Sequence, residues 1–339
     1  MKKTESGFVS IVVAALIMII LSLLTIGFTR LMQREQRQAL DRQLSRQALY
    51  VAESGINDVY KALEDDPSLP AEKTDCDPST GLTDVILTTT DGKTEYTCVL
   101  YDKSPKELVY DLSTQQSELV EFKSENNKNF ASITFTWGPS GEGAFVYNEC
   151  DSSIPDSSNS SLIHLDMSRT GAGYNRANLQ ASADNFYLRP CRSAASPAAG
   201  SPASHAYSDG AKGDFVNVVC ADSGDYPCQA TLTFDAAQTS SNFFSRIKAV
   251  YANARVTVTA QQYASGTSGA TEDVEFVQAQ TSIDVTARSN DILRRLRVAL
   301  PLSQAQYVPE AAVQVFDGIC KLVAIGPSSV VDGCVGFYP

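Results

Sequence analysis

The sequence predicts an α+β protein. A long N-terminal helix, hydrophobic and then amphipathic, packs on an antiparallel β-sheet, with a β-rich second subdomain or large insertion. Three observations carry this. Residues Phe8 to Phe28 are 21 consecutive residues without a charge. Apolar positions from Leu40 to Leu63 then recur every three or four residues, the period of one helix face. After Pro67 the pattern changes to short alternating runs bounded by turn signals.

The first element is the uncharged run. As a helix it rises about 32 Å, the thickness of a bilayer's hydrocarbon core. It exceeds an ordinary signal-peptide apolar region of about 7–15 residues, and no Ala-x-Ala site follows it. It is expected to stay in the protein, with Leu16, Ile20 and Leu24 packing in the membrane or against other helices. Lys2 and Lys3 precede the run, while Arg30, Arg34, Arg37, Arg42 and Arg46 follow it, offset by Glu35 and Asp41. A count of positive charges places the downstream side inside the cell. The cysteine-rich, acidic remainder argues for export, and that argument is the stronger.

The second element, residues 29–66, continues the helix. Leu40, Leu44, Ala48, Val51 or Ala52, Ile56, Val59 and Leu63 form one apolar stripe that would bury against a sheet. No proline precedes Pro67. One helix from Phe8 to Leu63 would be roughly 80–85 Å long. Gly27 and Gly55 are its weak points, each costing about 1 kcal/mol relative to alanine.

Residues 67–339 read as β-rich. Asp84–Thr90 and Thr94–Tyr101 flank Asp91-Gly92, a hairpin signature. Glu107–Leu112, Leu119–Lys123, Ala131–Trp137, Ser161–Met167, Asp214–Ala221, Ala230–Phe234, Arg255–Ala260, Val274–Thr286 and Leu293–Leu300 read as strands. Ser245–Ala252 fits helix or strand, and Val313–Val323 closes the sheet. Asp151–Ser161, Arg192–Gly213 and Gln262–Glu272 have loop composition, where binding function often sits. No internal repeat is visible.

The chain has 339 residues and a net charge of −12. Residues 1–66 hold as many acids as bases, so the whole imbalance lies beyond them. An acidic domain repels phosphate backbones, which excludes nucleic acid as an expected partner. The eight cysteines, Cys76, Cys98, Cys150, Cys191, Cys220, Cys228, Cys320 and Cys334, are even in number, and no pair has CxxC spacing. Beside a membrane-targeting start they read as disulfides of an oxidising compartment. Cys220–Cys228 and Cys320–Cys334 close the shortest loops, and the full pairing is left open.

A short basic leader, then Gly7-Phe8, the apolar run and an amphipathic helix together resemble the type IV pilin-like family over residues 1–66. The stretch from Gln47 to Ile56, with Ala52-Glu53-Ser54-Gly55, resembles its minor-pilin branch, which includes pilus-tip minor pilins and the large minor pseudopilin of secretion systems. The resemblance implies a leader of residues 1–7 cut between Gly7 and Phe8 by a prepilin peptidase. It also implies a helix core of residues 8–28 and an exported head of residues 67–339. Most pilins carry a glutamate at the fifth mature position, thought to neutralise a neighbour's N-terminal ammonium. Here that position is Val12, a departure shared with the tip-type pseudopilin.

The function this implies is a structural subunit of a type IV pilus or related filament. Its partners would be other pilins, with the cytoplasmic membrane before assembly and the cell surface after. Tip position, assembly priming and adhesion to a host-cell or surface ligand are the finer roles. The alternative is a single-pass anchored adhesin outside any filament. No enzyme is expected: there is no Gly-x-Ser-x-Gly, phosphate-binding loop or His-Glu-x-x-His, and the two histidines, His164 and His205, lack motif partners. No resident cofactor or metal is expected. Asp151, Asp156 and Asn159 are weak calcium candidates whose spacing fits no EF-hand.

Overall fold

The computed structural model describes residues 6–66, 68–77, 94–114, 117–139, 150, 161–169, 176–192, 202–221, 224–277 and 279–301. These lie within one unit of the chain, residues 1–303; a second unit, residues 304–339, lies outside them.

Helix α1 runs without interruption from Ser6 to Asp65, 60 residues or about 90 Å. It ends where Asp66 Oδ1 accepts bonds from the Ser68 amide (2.9 Å) and hydroxyl (2.6 Å), an Asx turn that replaces the next helical turn. Those bonds hold the Asp66 carboxyl below the usual range.

In chain order there follow β1 (Glu72–Lys73), β2 (Thr94–Asp102), β3 (Glu107–Leu112), β4 (Ser117–Lys123), β5 (Phe130–Pro139), β6 (Leu162–Arg169) and helix α2 (Arg176–Ser182). Then come β7 (Asp184–Cys191), β8 (Ala203–Ala206), β9 (Lys212–Val219), β10 (Cys228–Thr233), β11 (Asn242–Val250), β12 (Ala254–Tyr263), β13 (Thr271–Asp273), β14 (Thr281–Ser289) and β15 (Ile292–Leu300).

These strands make three sheets. The first, in the order β1-β2-β14-β15, is antiparallel throughout and receives α1. Ala52, Ile56, Val59 and Leu63 bury there against Tyr96, Tyr101, Ile283, Val285 and Ala287. The expected helix-on-sheet core is therefore present. Burial starts later than the periodicity suggests: Leu40 is 57% exposed, and the first buried residue is Ala48. The reason is the length of the sheet. Its β14–β15 end meets the helix at Ser45 and Gln47, through Arg294 and Ser289, and Leu40 lies below it.

Gly55 is more than a weak point in the helix. A Cβ there would fall 2.8 Å from Val285 Cγ1 and 2.9 Å from Tyr96 Cε1, so glycine sets how closely helix and sheet approach.

Everything from β3 to β13 is inserted between two neighbouring strands of that first sheet, β2 and β14. The insert is a two-sheet sandwich. One sheet is β13-β12-β5-β10-β8 with β3 also on β12, and the other is β4-β11-β6-β7-β9. Strand β11 shows the alternation, with Phe243, Ser245, Ile247 and Ala249 buried and Arg246 and Lys248 on the other face. The core holds Phe122, Phe130, Phe135, Trp137, Phe186, Phe243 and Phe276. Trp137 satisfies its indole N–H on the Ser161 carbonyl, 3.1 Å away.

Two chain crossings join insert to sheet, and they are bonded to each other. Phe276 N donates to the Pro105 carbonyl (3.2 Å). The Gln280 amide both accepts from Val109 N (2.9 Å) and donates to the Val109 carbonyl (2.8 Å). Glu125 lies at this junction, its amide bonded to the Glu275 carbonyl. Burial, and then the Glu275 carboxylate, push the Glu125 carboxyl up.

The strand expectations correspond to β2 through β6, β9, β10, β12, β14 and β15, and Ser245–Ala252 proves to be strand as far as Val250, the end of β11. Val274–Thr286 is a strand only from Thr281, because Val274–Gln280 forms the crossing. Strand β7 and helix α2 are additions. The Arg192–Gly213 stretch contains β8, which pairs in parallel with β10, and Gln262–Glu272 contains the start of β13. The Asp84–Thr90 half of the hairpin, the Asp151–Ser160 loop residues and Val313–Val323 lie outside the described residues.

Candidate membrane and assembly helix

From Val12 to Gln43 no residue of α1 is buried. Leu16 is 56% exposed, Ile20 48% and Leu24 52%, although all three are strongly apolar. The stretch is long and apolar enough to cross a membrane. Water penalises such a surface, which is of the kind that lipid or other apolar helices cover.

Its few polar side chains suit that setting. The hydroxyls of Ser22, Thr25 and Thr29 donate to the carbonyls of Met18, Leu21 and Thr25, each at 2.8 Å. Each is satisfied inside its own helix and needs no water. Gly27 has nothing within 4 Å. It leaves an apolar hollow between Ile20, Leu23, Leu24, Phe28 and Leu31, the kind of surface into which another helix packs closely.

Gly7 and Phe8 fall in the first turn of α1. Val12, in place of the usual pilin glutamate, is 48% exposed among other apolar side chains. Beyond the apolar run, Arg30, Arg34, Arg37, Arg42 and Arg46 stand exposed on the helix.

The disulfides all lie beyond this helix. Cys76–Cys98 ties the segment after β1 to β2, Cys150–Cys191 anchors the end of β7, and Cys220–Cys228 closes a short loop. The expected Cys220–Cys228 pair is thus present, while Cys320 and Cys334 lie outside the described residues.

The remaining candidates have structural partners. His164 stacks on Tyr187 with ring centroids 4.4 Å apart and hydrogen-bonds Asn185 at 2.8 Å. His205, on β8, faces the fully buried carboxylate of Asp184 at 3.2 Å. Trp137 and Phe243 are core residues. Among the described residues no three His, Cys, Asp or Glu side chains gather as a metal site. Asp151, Asp156 and Asn159 lie outside those residues.

Residues 6–57 match the family model described as PilX N-terminal. No curated protein and no solved structure matches the chain. The matched segment runs from the start of α1 to the residues packed on the first sheet, and it takes in the bare apolar helix and the Ala-Glu-Ser-Gly stretch. Over residues 6–57, then, this chain is similar to the N-terminal segment of type IV pilus minor pilins, in line with the resemblance its sequence carries.

Proposed function

We propose that the chain is a structural minor pilin. It waits in the cytoplasmic membrane by its apolar helix, is cut between Gly7 and Phe8, and enters a type IV filament with its head displayed outside. One observation carries this reading: a single helix has one half bare and apolar and the other half built into the head. The bare half has the length and composition for a bilayer, and the same surface serves a bundle of like helices. Leu16, Ile20 and Leu24 supply the lateral contacts, and the hollow at Gly27 receives a neighbour's ridge.

Val12 favours a place at the filament tip. A mid-filament subunit must bury its neighbour's ammonium, which needs a counter-charge, and this position offers none. The inserted sandwich, with loops at both its ends, is the part suited to priming contacts or to a surface ligand.

The test is the intact mass and N-terminal sequence of the chain from its native envelope. A chain that begins at Phe8, with Gly7→Trp blocking the cut, supports the reading. A chain that keeps Met1 points instead to an anchored binding protein outside any filament.

A further inference from the structure

Just beyond the apolar run the helix carries a stripe of positive charge. At about 1.5 Å per residue, Arg30, Arg34 and Arg37 lie about 3, 9 and 14 Å past Phe28. At about 100° per residue they fall within an arc of about 60°. All three are exposed and ion-paired to no described residue. Asp41 shares their face, but about 20 Å past Phe28. Glu35 points well away.

At the level of the Cα atoms, Arg30 lies within the depth of a lipid headgroup layer, and Arg34 and Arg37 lie beyond its outer edge. The polar zone adds about 5–8 Å outside each side of the hydrocarbon core. In an α-helix the Cα–Cβ bonds tilt toward the N-terminus, here the membrane side. Long arginine side chains therefore reach back toward the phosphates. Guanidinium groups bind phosphate oxygens in pairs and stay charged at every physiological pH. The stripe also has a fixed relation to the head. Arg30, Arg34 and Arg37 stand about five turns below Ala48, Ala52 and Gly55, at about 3.6 residues per turn. Those are the residues that meet the sheet, so the stripe lies on the side the head overhangs.

We infer that Arg30, Arg34 and Arg37 form a binding site for the phosphates of anionic phospholipids, which fixes the depth and rotation of the helix while the chain is in the membrane. This rests on insertion of residues 8–28 in a bilayer. It also gives a purpose to arginines that a simple topology rule would place on the other side.

The experiment uses the full chain reconstituted in phosphatidylcholine vesicles with phosphatidylglycerol as a minority lipid. Spin-labelled forms of each lipid report their relative association with the protein. The native chain is expected to prefer phosphatidylglycerol on the order of fivefold. The preference should vanish in R30Q/R34Q/R37Q and in about 1 M salt, where screening acts over about 3 Å. It should persist in R42Q/R46Q, whose arginines lie about 21 and 27 Å past Phe28. Equal association in the native chain, or equal losses in the two variants, overturns the site while leaving membrane insertion intact. A chain that does not float with the vesicles overturns both.

Discussion

The ring of Tyr96 lies on the bare backbone of Gly55, so close that a single added carbon would sit 2.9 Å from its Cε1. Val285 closes the same spot from the next strand, at 2.8 Å. Neither neighbour is the loose end of a flexible side chain, so neither can yield without moving β2 or β14. Replacing Gly55 with alanine gains about 1 kcal/mol of helix propensity. Overpacking a tight core costs about 1–3 kcal/mol. Gly55→Ala is therefore expected to lower head stability by about 1 kcal/mol, read by thermal unfolding in detergent. Gly27→Ala, where the helix is open, should leave it unchanged.

The same tyrosine makes the helix–sheet joint sensitive to alkali. Its hydroxyl donates to Asp58 Oδ2 at 2.9 Å, and Tyr96 is only 7% exposed. Burial first, and the Asp58 carboxylate with it, push its pKa up to about 12. A phenol whose pKa is raised by folding stabilises the fold below its unfolded pKa of about 10. That contribution fades as pH rises from about 10 toward 12. Tyr96→Phe should lose about 1 kcal/mol at neutral pH. The gap between variant and native chain should narrow over the alkaline range, measured by urea unfolding at stepped pH. A constant gap would show that the hydroxyl does not titrate as a buried group.

A third joint lies inside the insert. Gly138, on β5, sits beneath the loop closed by Cys220–Cys228, and a Cβ there would fall 1.8 Å from the Asp225 carbonyl oxygen. Gly138→Ala must lift that loop, at a cost of about 1–3 kcal/mol or more. Thiol titration should then find Cys220 and Cys228 more easily reduced than in the native chain, with Cys76–Cys98 unchanged. Equal reducibility would mean the loop accommodates the methyl group elsewhere.

The helix was legible residue by residue, because a period of 3.6 needs no partner to show itself. Its contact length was not: Leu40 keeps the stripe's period, but the sheet stops short of it. Most strands showed as alternation, since one face of each is wet. Strand β7 did not, because Asp184 is buried at its start and Pro190 lies near its end, residues that read as turn. Strand β8 is four residues long and too short to show a pattern. The insertion between β2 and β14 is a long-range pairing, and local pattern carries no information about which strands meet. The bare apolar half of α1, by contrast, was visible as an uncharged run, because its surface packs on no other described part of the chain.

The insertion has a consequence for how the protein folds. Asp102 at the end of β2 pairs with Ser282 at the start of β14, across about 180 residues of intervening chain, a costly loop to close while that chain is disordered. Once the sandwich has folded, the bonds between its two crossings bring both strand ends to one place. The sheet that receives α1 is therefore expected to close last, with the sandwich as its template. Damage in the sandwich, far from the helix, would then appear first as a helix with nothing to dock on.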